Sequence, residues 1–148
     1  MGAAETAKTE DIYLATISTD YVKKSYDLMI ALNDRKLISA IKTRNNKKNK
    51  IKTYSVSVLD KPITLVKAVG VTLVSLSCKN FATNRGCDIE IEYPSNITLG
   101  AFKKFHAKLQ RVDGKWALTK DGKPFTKMFL VARKLMGLLI GIKRIDVQ

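Results

Sequence analysis

The chain is poor in the residues from which most catalytic and metal sites are built. Its 148 residues include one histidine, two cysteines and one tryptophan, with aromatics at 7%. One histidine and two cysteines are too few soft ligands for a structural zinc site. No G-x-S-x-G, P-loop or H-E-x-x-H pattern occurs. No catalytic residue, metal or cofactor is therefore assigned. Three prolines make no proline-rich linker, and neither an internal repeat nor a low-complexity tail is present. No apolar run approaches the roughly 18 residues of a membrane-spanning helix. The longest, Leu135 to Ile142, is interrupted by Gly137 and Gly141 and reads as core.

Acids are scarce as well, at 13 against 27 lysines and arginines, for a net charge of +14. The excess is lumped. Residues 41–70 hold eight cations and one acid, and residues 101–148 hold twelve and three. The stretches 1–40 and 71–100 each come to −1. Like charges repel in a compact fold, so a segregated excess points to an anionic partner or surface.

The length suits a single domain over 1–148, with 1–10 expected as a disordered tail. Hydrophobic content of 45% with 27% charged residues is that of a globular protein. Met1 to Lys8 has neither the basic n-region nor the apolar h-region of a signal peptide. Its small residues are of the kind that follow a signal-peptidase cut. With the cysteine usage, they lead to the expectation of an exported protein, extracellular, periplasmic or in the cell envelope. The alternative is a cytoplasmic protein with an ordinary frayed N-terminus.

The periodicity predicts an α+β fold, an N-terminal helix packed on an antiparallel sheet with a C-terminal β-meander. Asp20 is a fair N-cap, and Val22, Tyr26, Met29 and Ile30 follow at helical spacing, so 20–32 is read as helix. The same stretch alternates as Tyr26, Leu28, Ile30, Leu32, which suits a strand; an all-β sandwich is the alternative. Residues 36–43 fit either. Lys52 to Val58, Val69 to Leu76 and Asp88 to Tyr93 read as strands, the last broken by Pro94-Ser95-Asn96. Asp113-Gly114 and Asp121-Gly122 are the sharpest local signals, because Asp-Gly supplies the positive φ angles of type I′ hairpins. Residues 105–112, 115–120 and 123–130 are thus a three-stranded meander. Phe129, Ala132, Arg133 and Met136 suggest a short helix, with a terminal strand over 142–147.

Cys78 and Cys87 flank a predicted hairpin, and a disulfide is expected between them. Closing so short a loop is worth about 2–3 kcal/mol in the chain-entropy model. Asp88, Glu90 and Glu92 share one strand face at spacing two, where pairing with lysines across the sheet is the simplest role. His106 lies opposite Phe105 and reads as an ordinary strand residue. Trp116 shares a face with Leu118 and reads as core. Asn96-Ile97-Thr98 has the form of a glycosylation sequon.

The anion-binding candidates are Arg44, Lys47, Lys48, Lys50 and Lys52 in a basic loop, with Lys103, Lys104, Lys108 and Lys115 in the meander. Lysine outnumbers arginine, which argues for diffuse attraction rather than bidentate readout. The expected function is a non-enzymatic, exported binding or interaction module. Its basic surface would take an anionic polymer or envelope component, a lipid surface or an acidic protein partner. An intracellular nucleic-acid-binding protein is the runner-up, and a carboxylate-based enzyme comes third.

Overall fold

The computed structural model describes residues 12–20, 26–32, 51–56, 59, 61–68 and 71–148. Among them the chain is almost entirely strand, with no α-helix. The strands are β1 (Ile12–Asp20), β2 (Asp27–Leu32), β3 (Ile51–Ser55), β4 (Ile63–Ala68), β5 (Val71–Ala82) and β6 (Gly86–Asn96). They continue with β7 (Ala101–Val112), β8 (Lys115–Lys120), β9 (Lys123–Phe125), β10 (Lys127–Leu135) and β11 (Leu138–Val147). One antiparallel sheet runs β11-β10-β1-β2-β3, the other β4-β5-β6-β7-β8-β9.

The N-terminal helix on a sheet is overturned. Residues predicted as helix form β2 and the end of β1, and the alternation wins over the helical stripe. Leu28 and Ile30 are buried, and Tyr26 packs its ring against Phe81 and Trp116 with centroids 5.4 and 6.4 Å away. On β1 the buried series is Ala15, Ile17, Thr19. Its partner on one side is β10, with Ile12 opposite Val131. A strand whose partner lies so far along the chain leaves no local signature. The all-β alternative agrees with these two sheets in class.

The buried side chains of both sheets merge into one core cluster. Ile17, Leu28 and Met128 meet Leu76, Ile89, Leu109 and Trp116 there, so the sheets face each other across shared apolar contents. Thr19 ties the layers with a hydroxyl that donates to the Trp116 carbonyl at 3.1 Å, inside the core. The chain passes between sheets at Thr126, whose carbonyl accepts from Ile17 N at 2.8 Å.

The meander stands, with one amendment. β7, β8 and β9 are neighbours in order, and Asp113, Gly114, Asp121 and Gly122 all have positive φ, between 53° and 81°. The stretch 123–130 is not one strand, however. It breaks at Thr126, and β10 joins the opposite sheet. The helix expected over 129–136 is also overturned, because Met128, Leu130 and Ala132 carry the core contacts of β10. Nor does Pro94 end its strand. β6 runs on to Asn96 with a register shift between Pro94 and Asn96, where a bulge absorbs the missing N–H.

Two glycines mark close backbone crossings. A Cβ on Gly86 would collide with the Leu109 carbonyl. A Cβ on Gly141 would lie 2.5 Å from the Ser95 carbonyl oxygen and 2.9 Å from that of Pro94. Backbone cannot step aside as a side-chain tip can. Gly141→Ala is therefore expected to cost about 2 kcal/mol or more in urea unfolding. Gly114→Ala, with open space around its β-position, should cost only about 1 kcal/mol, from its positive φ.

Candidate functional site

The acidic series lies where the alternation places it. Asp88, Glu90 and Glu92 alternate with buried Ile89 and Ile91 on β6. Across the sheet they face Lys79, Ser77 and Ser75 of β5 and Lys108, His106 and Lys104 of β7. Glu90 is the centre of the group. Its Oε1 lies 3.4 Å from Lys79 Nζ and 3.4 Å from Lys104 Nζ, and its Oε2 lies 3.9 Å from His106 Nδ1. Desolvation would raise its pKa, but the hydrogen bonds and charges of Lys79 and Lys104 outweigh it and hold the carboxyl below its ordinary value. Asp88 accepts from Asn80 Nδ2 at 3.1 Å. His106 is exposed, on the side opposite buried Phe105.

Cys78 and Cys87 come together on β5 and β6, both buried, at 2% and 6% exposure. They are free thiols in hydrogen-bond contact with each other. The expected bridge is thus absent from this structure, although the pair is adjacent. Cys78 stands opposite Ile89, and Cys87 is two residues before Ile89, on the same inward face. The contact with Cys87, reinforced by burial, pushes the Cys78 thiol far up.

The basic candidates are not gathered on one sheet face. Lys104, Lys108 and Lys115 are exposed on the outer side of β7 and β8, where the acids of β6 offset part of their charge. Lys103 takes the other side of β7, in the series of Phe105, Ala107 and Leu109, and is exposed beyond the edge of the core. Arg111, in the same series, caps Trp116 at 5.4 Å and donates to the Gly114 carbonyl at 2.8 Å. Lys120 sits over Phe105 at 4.7 Å and donates to the His106 carbonyl. Arg44, Lys47, Lys48 and Lys50 lie outside the described residues, and Lys52 is placed only as backbone in β3.

Trp116 is core, at 3% exposure. The sequon forms the β6–β7 turn. Asn96 Oδ1 accepts from Thr98 Oγ1 at 2.6 Å, Thr98 N at 3.0 Å and Leu99 N at 3.3 Å, fixing an Asx turn. Beside it lies the feature the sequence reading missed. Leu135, Met136 and Leu138, read as core, are 59%, 94% and 70% exposed in the β10–β11 turn. Ile97 and Leu99 are 42% and 77% exposed in the β6–β7 turn, and Phe102, 53% exposed, follows at the start of β7. The two turns are joined, because Ile97 N donates to the Ile140 carbonyl at 2.6 Å and Arg133 Nε to that of Ser95 at 3.0 Å. The available signal was Met136-Gly137 between leucines, a two-residue hairpin of the same form as the two Asp-Gly turns.

Compared with models of known protein families, with curated proteins and with solved structures, the chain matches none of them.

The Glu90 ion pairs carry a pH signature. A folded pKa below the ordinary 4.5 contributes stability that is present above that pH and lost as pH falls through the lowered value. Both lysines are half exposed, so Glu90→Gln should cost less than about 1 kcal/mol at neutral pH. Thermal unfolding of parent and variant should converge in acid, below the lowered pKa.

Proposed function

We propose that this protein is a non-enzymatic binding module of an oxidising, envelope-type compartment whose cationic surface engages an anionic envelope component. The observation that carries the reading is the distribution of charge along two hairpins. Residues 93–112 hold four cations and residues 122–145 hold six, with no acid in either stretch. Acids of β6 offset part of the charge of Lys104 and Lys108, and Asp146 pairs with Arg144 at 3.1 Å, yet the ten cations of the two stretches outnumber these neighbouring acids. Lysine-rich surfaces of this kind attract dense anionic surfaces without reading a sequence or a shape.

The cysteine pair supports the compartment. In an oxidising environment the two thiols lose two protons and two electrons to a disulfide oxidant, which leaves as its dithiol, and Cys78 and Cys87 become bridged. Alkylation under denaturing, non-reducing conditions of protein taken from its own compartment tests this. No modified thiol is the expected result; two modified thiols would remove the exported reading.

Binding to acidic glycans and to anionic vesicles should weaken steeply with salt. Reversal of exposed Lys103, Lys108 and Lys123 to Glu should lower affinity at least about 100-fold at low ionic strength, from about 1 kcal/mol per lysine near an anionic surface. Equal binding to neutral and anionic ligands would overturn the proposal.

One observation favours the nucleic-acid reading: exposed Phe102 adjoins Lys103 and Lys104 and offers a face for a base. A log K against log salt slope near −0.7 per phosphate for single strands, weakened by Phe102→Ala, would support it over the first reading. For enzymatic chemistry, Glu90 is tuned the wrong way for a proton donor near neutrality.

A further inference from the structure

We propose that the joined β6–β7 and β10–β11 turns insert into the surface of an anionic lipid bilayer, with the lysines and arginines behind them on the headgroup phosphates. This rests on the binding-module reading above and names its partner.

Six large apolar side chains stand exposed at one end of the molecule, in or beside the two turns: Ile97, Leu99, Phe102, Leu135, Met136 and Leu138. Scattered singly they would need no account, but hydrogen bonds between the two hairpins hold these turns side by side. Cations follow immediately behind. Lys103 and Lys104 come directly after Phe102, Arg133 and Lys134 directly before Leu135, and Lys143 farther along β11, while Arg144 is engaged by Asp146 at 3.1 Å. At about 3.3 Å per strand residue, the nearest four lie within about 7 Å of the apolar residues they follow or precede. An apolar tip with a basic collar matches the layering of an anionic bilayer, in which acyl chains lie some 5–10 Å beneath the phosphates. A protein partner would have to reproduce both layers. An acidic glycan offers only the second.

The β10–β11 turn supplies an independent observation. Met136 and Gly137 both have positive φ, 53° and 80°. The two other two-residue hairpins of the meander place Asp at the first of these positions, with φ of 54° and 53°. Asp and Asn tolerate the left-handed region through local hydrogen bonds; an unbranched apolar side chain does not. Yet Met136 is the most exposed large apolar residue among the described residues, at 94%, and so contributes nothing to the core. A residue that breaks the local rule, with no gain in the fold, is the mark of a functional position. The β6–β7 turn is preorganised in its own way, since the Asn96 carboxamide accepts from Thr98 and Leu99 and fixes the loop that presents Leu99.

Met136→Asn separates the two roles. It should raise the unfolding midpoint, because Asn suits the left-handed site, and weaken partitioning onto vesicles of roughly 30% phosphatidylglycerol in phosphatidylcholine. The triple change of Leu99, Met136 and Leu138 to Ser leaves the core untouched and should weaken partitioning at least about 100-fold. For depth, Met136→Trp adds an indole to a chain whose own Trp116 is buried. Its emission should shift to the blue on these vesicles and be quenched by bromine on the upper acyl chain.

Anionic vesicles bound as tightly by the triple variant as by the parent, or bound by Met136→Trp without shift or quenching, would overturn insertion and leave the basic-surface reading intact. Binding to acidic glycans but not to vesicles would do the same. A concentration-dependent dimer in sedimentation, abolished by the triple change, would assign the tip to a second copy and overturn the lipid proposal. Binding to no anionic ligand at all would end both readings.

Discussion

The seating of Gly141 on the Pro94–Ser95 backbone is the constraint on which the rest of the molecule depends. There β11, from one sheet, crosses β6, from the other, closely enough that no side chain fits between them. Close approach of two main chains brings polar groups within reach, and the Ile97–Ile140 and Arg133–Ser95 hydrogen bonds follow from it. The core is thereby sealed at this end by backbone, not by apolar side chains. Leu135, Met136 and Leu138 are left outside, and so are Ile97, Leu99 and Phe102. Exposure of six large apolar groups is thus a consequence of how the sheets meet.

The same geometry sorts the charge. On the outer face of β5, β6 and β7, acids and lysines lie in register across neighbouring strands, and Glu90 draws on Lys79 and Lys104 at once. That face is locally compensated, and its ion pairs are half exposed, so they contribute little to stability. Residues 93–112 and 122–145 carry no acid of their own, so positive charge is in excess behind the apolar tip, with Lys104 shared with Glu90 and Arg144 paired to Asp146. Charge and apolar surface are thereby arranged in two successive layers along one axis.

Much of the fold was legible where the deciding interactions are local. The turns at Asp113-Gly114 and Asp121-Gly122, the outward placement of His106 and the burial of Trp116 all follow from neighbours a few residues away. The stretch from Tyr26 to Leu32 was not legible, since it satisfies a helical stripe and a strand alternation equally well. The run from Leu135 to Ile142 failed for a different reason. Hydropathy marks a residue as apolar but not as enclosed, and the turn at Met136-Gly137 turns part of that run outward. Thr126 ends one strand and begins another without a glycine or proline to mark it.

Sequence alone determined the charge excess, its segregation, the hairpin turns of the meander and the face on which each β6 acid stands. These depend on composition, on backbone preferences at single residues and on the two-residue repeat of a strand. Tertiary structure decided that β1 pairs with β10, that Cys78 and Cys87 touch unbonded, and that two turns about 40 residues apart in sequence form one tip. Each of these contacts is made between segments whose own residues carry no mark of the partner. Only burial of a shared core selects one pairing among the many that alternating strands permit.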